Sequence, residues 1–211
     1  MGYDLYVVTD EMIGRGRSHV ELARQAVAGG ADVIQLRDKT LPGRALFDAA
    51  LAIREITLDA GALFIVNDRL DVALAAGADG VHLGASDLPI GDARRLAPPG
   101  FIIGASVGSV DAALRAAAAG ADYVALSPTF ATGSKDDAGP GHGLMTLSAI
   151  RAAVSLPLVA IGGITAANVA DVIAAGADGV AVISAVVAHD DVAAAARDLR
   201  DRIATAKARV R

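Results

Sequence analysis

The feature that most constrains the fold is a segment that occurs four times along the chain. Each copy is an alanine-rich stretch, then a glycine, then Ala-Asp, then a short aliphatic run. The copies AGGADVIQLR, AAGADGVHLG, AAGADYVALS and AAGADGVAVI end at Arg37, Gly84, Ser127 and Ile183. Such a glycine is typical of a helix end that needs a left-handed residue, and an unbroken aliphatic run is typical of a strand buried on both faces. Each copy therefore predicts a helix followed by a parallel strand.

Four further apolar runs lie between these copies, namely LYVVT, LFIVN, FIIGA and LVAIG. Each is followed by a polar loop and another helical stretch, which makes eight strand–helix pairs with a final helix over about 190–210. Eight such pairs in 211 residues favour an α/β fold, a single-domain (β/α)₈ TIM barrel over residues 1–211. An open, doubly wound sheet is the alternative.

Composition narrows the class of function. The chain has no cysteine, which excludes disulfides, a thiolate nucleophile and a thiolate metal site, so a metal would be bound by oxygen or imidazole. The net charge of −5 argues against broad binding to nucleic acid or to an anionic membrane. Without a long apolar run or a basic leader, we expect a cytoplasmic protein.

Polar side chains occur where the predicted strands end, which in TIM barrels is the face that carries the active site. These positions are Gln35, Arg37, Lys39, Asn67, Asp68, His82, Asp87, Ser106, Ser127 and Ser184, with Thr132, Ser134 and Lys135 in the long loop after strand six. Strand seven ends instead in two glycines, Gly162 and Gly163. The chain has 16 arginines but three lysines, and two of those, Lys39 and Lys135, fall in these loops. Lysine is a compact cation suited to a phosphate pocket.

Several of these residues have two interpretations. Asp68 could cap the following helix and Asp87 a turn before Pro89, or both carboxylates could share one Mg²⁺, which takes one or two protein carboxylates. His82 could lie in the barrel interior or contact a ligand. We place His142 in a loop, and His19 and His189 at helix starts or on the surface. The IGGIT and AVIS segments supply backbone N–H groups where such barrels bind phosphate.

The ordered set of motifs resembles the thiamine phosphate synthase/TenI family of (β/α)₈ proteins. The similarity runs through LYVVTD, QLRDK, FIVNDRLDVAL, GADGVHLGASDLP, IIGAS, GADYVALSPTFATGSKDD, VAIGGIT and GADGVAVIS. It implies a magnesium-dependent transferase that joins a hydroxymethylpyrimidine diphosphate to a thiazole phosphate and releases pyrophosphate. The implied partners are these small molecules, with neither nucleic acid nor membrane, and a homo-oligomer is allowed.

The resemblance also implies a role for each matching residue. Asp68 and Asp87 would hold Mg²⁺, and the diphosphate would be bound by Arg37, Lys39, Asn67, Ser106 and Lys135. Of these, Arg37, Lys39, Ser106 and Lys135 would be catalytic. The pyrimidine would be oriented by Gln35, His82 and Tyr123, and the thiazole phosphate would be contacted by Thr132, Ser134, Gly163, Ile183 and Ser184.

Three departures from the family pattern leave alternatives open. Gly108 stands where many members carry a histidine, Ser127 replaces a frequent glycine before Pro128, and the loop reads ATGSKDD. A TenI-like thiazole tautomerase would need a proton shuttle, and relatives place histidines where this chain has Gly108 and Pro128. A non-catalytic thiazole-phosphate regulator and a phosphosugar isomerase are further alternatives. The full set of cations and carboxylates favours the synthase.

Overall fold

Eight parallel strands close into a barrel in the computed structural model, which describes residues 2–134 and 140–210. The strands are β1 Leu5–Thr9, β2 Val33–Leu36, β3 Leu63–Asn67, β4 Gly80–Leu83, β5 Ile102–Val107, β6 Tyr123–Leu126, β7 Leu158–Ile161 and β8 Gly179–Val182. Each strand pairs with the next in sequence, and β1 also pairs with β8. The predicted TIM barrel is confirmed, and the open doubly wound sheet is wrong because a sheet with paired first and last strands has no free edge.

Helices follow the strands and form the outer layer. They are α1 His19–Ala28, α2 Gly43–Ala60, α3 Leu70–Ala75, α4 Ile90–Leu96, α5 Val110–Ala118, α6 Gly143–Ala153, α7 Val169–Ala174, α8 Ser184–Val187 and α9 Val192–Val210. The last of these matches the predicted C-terminal helix. Among the helices described, none combines the length and apolar character needed to cross a bilayer.

The glycines of the four repeats have the predicted left-handed conformation. Gly30, Gly77, Gly120 and Gly176 have φ values of 90°, 64°, 96° and 105°. A residue with a Cβ is strained in this region, so glycine lets the chain leave each helix and turn into the next strand at little cost.

The aspartate of each repeat closes the barrel at its N-terminal face, which explains why the repeat includes an acid. Each carboxylate accepts the backbone N–H of the first or second residue of a neighbouring strand and also contacts an arginine. The carboxylates of Asp32, Asp79, Asp122 and Asp178 bind the N–H groups of Leu5, Phe64, Ile103 and Leu158, and pair with Arg200, Arg54, Arg94 and Arg151. These contacts lie at the face opposite the strand C-termini, so they support the scaffold.

Replacing Asp79 with alanine should therefore weaken folding and leave catalysis intact. The change removes the acceptor of the Phe64 N–H at 2.8 Å and the partner of Arg54 at 3.0 Å. Hydrogen bonds to charged groups contribute about 1.5–3 kcal/mol, so we expect urea unfolding to give a loss of that order. Asp59, an exposed residue of α2, provides the matched Asp→Ala control. A large loss of kcat with unchanged stability would contradict the scaffold role.

Candidate active site

A cavity of about 300 Å³ lies at the C-terminal end of the barrel strands. It is lined by twelve of the fifteen residues to which the family resemblance gave a role: Arg37, Lys39, Asn67, Asp68, His82, Asp87, Ser106, Thr132, Ser134, Gly163, Ile183 and Ser184. Gln35 and Tyr123 are buried in the barrel and do not line the cavity, and Lys135 lies outside the described residues. The strand ends thus bring most of the predicted set to one cavity.

Two carboxyl groups meet on one side of this cavity. The strands that precede Asp68 and Asp87 are neighbours, with Asn67 of β3 opposite His82 of β4. Burial raises the pKa of Asp68 to about 6, and a hydrogen-bonding contact and charge repulsion from Asp87 add to the effect. Two carboxylates that repel one another in this way are a favourable site for a divalent cation.

Asp68 has an unusual backbone for a residue with a side chain. Its φ is 61°, and its N–H donates to the carbonyl of His82 at 2.9 Å. The left-handed region disfavours most side chains but is tolerated by Asp and Asn. The alternative role as a helix cap is not found, because Arg69 is the N-cap residue of α3 and no side chain caps that terminus. The geometry leaves the Asp68 carboxyl facing the cavity.

Asp87 combines a local structural role with its place at the cavity. Its Oδ2 accepts the N–H of Gly84 at 2.7 Å, and its own N–H approaches the Gly84 carbonyl at 3.3 Å. These two contacts close a turn over residues 84–87. The predicted turn-capping function is thus present, and the same turn carries Ala85 and Ser86 into the cavity wall.

Two cations face the carboxyl pair from the loop after β2. Arg37 and Lys39 line the cavity, and the positive charge of each lowers the pKa of Asp68, Lys39 more strongly. The Arg37 guanidinium donates to Asp10 Oδ2 at 3.5 Å and is largely buried. Acidic and cationic groups therefore lie within electrostatic range of one another, an arrangement suited to a metal-bound polyphosphate.

A chain of hydrogen bonds crosses the barrel interior and ends at the cavity. The Gln35 amide donates to the Tyr6 hydroxyl at 2.7 Å, and the Tyr6 and Tyr123 hydroxyls are 2.9 Å apart. The Tyr123 hydroxyl is 2.9 Å from His82 Nδ1, and His82 Nε2 is 2.9 Å from Ser106 Oγ. The chain thus connects the buried residues Gln35 and Tyr123 to His82 and Ser106, which line the cavity.

His82 is buried in the barrel, as one of its two interpretations predicted, and it also lines the cavity. Its contact with a ligand stays a prediction. Burial raises the pKa of the Tyr123 hydroxyl beside it well above the ordinary value, so Tyr123 stays neutral and can donate or accept a hydrogen bond.

The opposite side of the cavity is formed by backbone and hydroxyl groups. Gly162 and Gly163 follow β7 with φ values of 100° and 65°, and a Cβ on Gly163 would lie 2.7 Å from the Ala131 carbonyl oxygen. Ser134 Oγ donates to Ser184 Oγ at 3.2 Å, which ties the loop after β6 to the end of β8. This side carries neutral donors in place of the charges opposite.

His142 lies in the loop before α6, as predicted. It is the N-cap residue of that helix, and its ring lies 2.8 Å from the place a Cβ on Gly108 would occupy. Ser86 lines the cavity but was not predicted. It has a usable signal, since it lies between Gly84 and Asp87 in a strand-end turn. Ile164, which also lines the cavity, lies in the predicted IGGIT segment.

The donor set suits magnesium better than a transition metal. Within residues 2–134 and 140–210 there is no group of three or more His, Asp or Glu side chains placed to hold a metal ion. Mg²⁺ normally takes one or two carboxylates and completes its coordination with water and substrate phosphate oxygens. Asp68 and Asp87 match that requirement.

A family profile, two relatives and one solved structure all point to one family. The profile of the family described as thiamine monophosphate synthase matches residues 5–186. The thiamine-phosphate synthase of Methanoculleus marisnigri is 84% identical over 99% of both chains, and that of Methanoregula boonei is 65% identical over 100% of this chain and 98% of its own. The solved structure of a Pyrococcus furiosus thiamine phosphate pyrophosphorylase has a TM-score of 0.90 at 44% identity, covering 97% of this chain and 96% of that one. The chain belongs to the thiamine monophosphate synthase family.

Proposed function

We propose that the protein is a magnesium-dependent thiamine phosphate synthase. It joins 4-amino-5-hydroxymethyl-2-methylpyrimidine diphosphate to 4-methyl-5-(2-phosphoethyl)thiazole, forming thiamine phosphate and pyrophosphate. The observation that carries the proposal is the division of one cavity into a charged side, with Asp68, Asp87, Arg37 and Lys39, and a neutral side at Gly163 and Ser184. The charged side suits a metal diphosphate and the neutral side a phosphate monoester.

Asp68 and Asp87 would hold the Mg²⁺ ion, which when bound neutralises charge on the leaving diphosphate. Arg37 and Lys39 bind the diphosphate oxygens and stabilise the negative charge that grows on them as the bond to the pyrimidine methylene carbon breaks. Lys135 directly follows Ser134, a cavity residue, and is assigned to the same anion. Asn67 adds an amide donor beside these charges.

Ser106 and His82 orient the reactants. With His82 held by Tyr123, Ser106 Oγ lies at a fixed position on the cavity wall and contacts the diphosphate. Gln35 acts on the pyrimidine pocket through Tyr6 and Tyr123. The thiazole nitrogen already carries a lone pair, so it attacks the pyrimidine methylene carbon without a protein base.

The neutral side holds the second substrate. Backbone N–H groups near Gly163 and Ile183 and the hydroxyls of Thr132, Ser134 and Ser184 bind the thiazole phosphate. Loops after strands seven and eight are the usual phosphate site of TIM barrels. Both substrates are small molecules, and we place the reaction in the cytoplasm.

A product assay tests this proposal. Purified protein is mixed with both phosphorylated precursors and Mg²⁺, and thiamine phosphate is oxidised to fluorescent thiochrome and measured. We expect product that depends on both precursors and disappears when the metal is chelated. Conversion of the thiazole carboxylate tautomer, with no thiamine phosphate at high protein concentration, would instead establish the tautomerase alternative.

A further inference from the structure

His19 is a buried titratable residue that the proposed reaction does not use. It is 1% exposed, it is the first residue of α1, and it does not line the cavity. Its Nδ1 is 2.7 Å from Thr9 Oγ1 at the end of β1, and its Nε2 is 3.1 Å from Asp38 Oδ2 in the loop after β2. The imidazole therefore joins three elements at the active-site end of the barrel.

The hydrogen on His19 Nε2 points to Asp38. Burial raises the pKa of Asp38, but the N–H groups of Thr40 and Leu41 and the contact with His19 outweigh it and leave that pKa at about 2. Asp38 is thus an ionised acceptor, and His19 Nε2 must carry the hydrogen of their 3.1 Å contact. His19 Nδ1 and the Thr9 hydroxyl form the second hydrogen bond of the ring, at 2.7 Å.

Two carboxylates lie beside His19. Asp38 Oδ2 lies 3.1 Å from Nε2, and the Glu11 carboxylate lies at 3.9 Å. Glu11 also accepts the backbone N–H of His19 at 3.1 Å. The ring is therefore held by Asp38 and the start of α1 by Glu11.

Asp38 links this imidazole to the cations of the cavity. Its Oδ1 accepts from the N–H groups of Thr40 and Leu41, each at 2.7 Å, and so fixes the turn that follows β2. Arg37 and Lys39 are the residues on either side of Asp38, and both line the cavity. One oxygen of Asp38 therefore shapes the loop while the other attaches it to His19.

We propose that His19 is a positioning residue whose imidazole fastens Asp38 to the end of β1, and thereby holds Arg37 and Lys39 where the diphosphate binds. The effect on catalysis rests on the proposed function, whereas the hydrogen bonds of the ring do not. An unfastened loop would still carry both cations but would have to be ordered each time the diphosphate binds.

The hydrogen bond to Asp38 is tested first, without any substrate. A long-range ¹H–¹⁵N spectrum of wild-type protein at pH 7.5 should show hydrogen on His19 Nε2, with the resonances assigned from a His19→Gln spectrum. In Asp38→Asn, the asparagine oxygen still serves the turn, and its amide N–H can donate to Nε2, so the ring hydrogen should move to Nδ1. Hydrogen on Nδ1 alone in the wild type would overturn the proposal, whatever the protein catalyses.

The positioning effect is tested by kinetics on each substrate. In His19→Ala, kcat/KM for the pyrimidine diphosphate should fall about tenfold or more, whereas KM for the thiazole phosphate should stay within about twofold. Asp38→Ala should behave in the same way. Asp38→Asn should retain most activity, because the asparagine amide can still form a hydrogen bond with His19 Nε2, with donor and acceptor exchanged. His189→Ala, an exposed histidine, is the matched control.

Inorganic pyrophosphate with Mg²⁺ serves as a probe that requires no turnover. Titration calorimetry should show its affinity reduced in His19→Ala and Asp38→Ala by a factor similar to the kinetic loss. Equal losses of kcat/KM for both substrates, or unchanged pyrophosphate affinity in both variants, would show that His19 has only a general structural role. If His19→Ala does not fold, Asp38→Ala gives the same decision, since it leaves the buried imidazole in place.

Discussion

Replacing Asp68 with asparagine should lower turnover about 100- to 1,000-fold and also stabilise the ligand-free protein. Asparagine lacks the charge needed for a divalent ion but accepts the left-handed backbone at φ 61°. The pKa of Asp68 is raised from 3.8 to about 6 in the folded state, so the folded protein binds this proton more tightly than the unfolded chain does. Ionisation of Asp68 therefore lowers the free energy of unfolding, by about 1 kcal/mol after allowance for solvent screening.

The stability cost of ionised Asp68 depends on pH in a direction that its raised pKa fixes. The cost appears as pH rises above the unfolded pKa of 3.8 and is complete above the folded value of about 6. In thermal unfolding without metal, Asp68→Asn should thus have a higher Tm than the wild type at pH 7.5. The difference in Tm should shrink as pH falls towards 4. Asp59→Asn is the exposed control. An equal loss of stability and activity would contradict the account and indicate that Asp68 supports the fold.

Replacing Lys39 with alanine should have the second large effect. Removing a cation that faces a developing negative charge typically reduces the rate about 100- to 1,000-fold, and we expect that loss in kcat/KM for the pyrimidine diphosphate. Stability should hardly change, because the side chain is exposed and exposed charges contribute little to it. Lys39 also lowers the pKa of Asp68, so the acidic limb of the pH–rate profile should move to higher pH.

Steady-state kinetics from pH 5 to 9 measure both parts of this prediction. Arg44→Ala is the control, because Arg44 is an exposed cation of the following helix, paired with Asp48. A pH profile that does not move, or an equal fall in kcat/KM for both substrates, would place Lys39 outside the diphosphate site.

Much of the scaffold was predictable because its signals are local. The glycine at each helix end and the unbroken aliphatic strands are direct consequences of backbone conformation and burial. Strand C-termini share one face of a barrel, so polar residues such as Asp68 and Asp87 could be placed together although 19 positions apart in the sequence. Their contact then required only the pairing of β3 with β4.

Other parts depend on contacts that local patterns do not contain. Side chains alternate along a strand, and Gln35 turns into the barrel towards Tyr6, which nothing in QLRDK indicates. Asp68 could equally have been a helix cap until its positive φ was known. His19 and Asp38 are paired by the packing of α1 against the β2 loop, and a sequence of ordinary loop residues gives no sign of such a pair.

The central claim is that Asp68 and Asp87 share one divalent ion beside Arg37 and Lys39. Anomalous diffraction from a crystal grown with Mn²⁺ and pyrophosphate tests this claim directly, since Mn²⁺ prefers the same oxygen ligands as Mg²⁺. We predict a strong anomalous peak within coordination distance of both carboxylates and of a pyrophosphate oxygen. A fully occupied ion and pyrophosphate elsewhere, with both carboxylates uncoordinated, would contradict it.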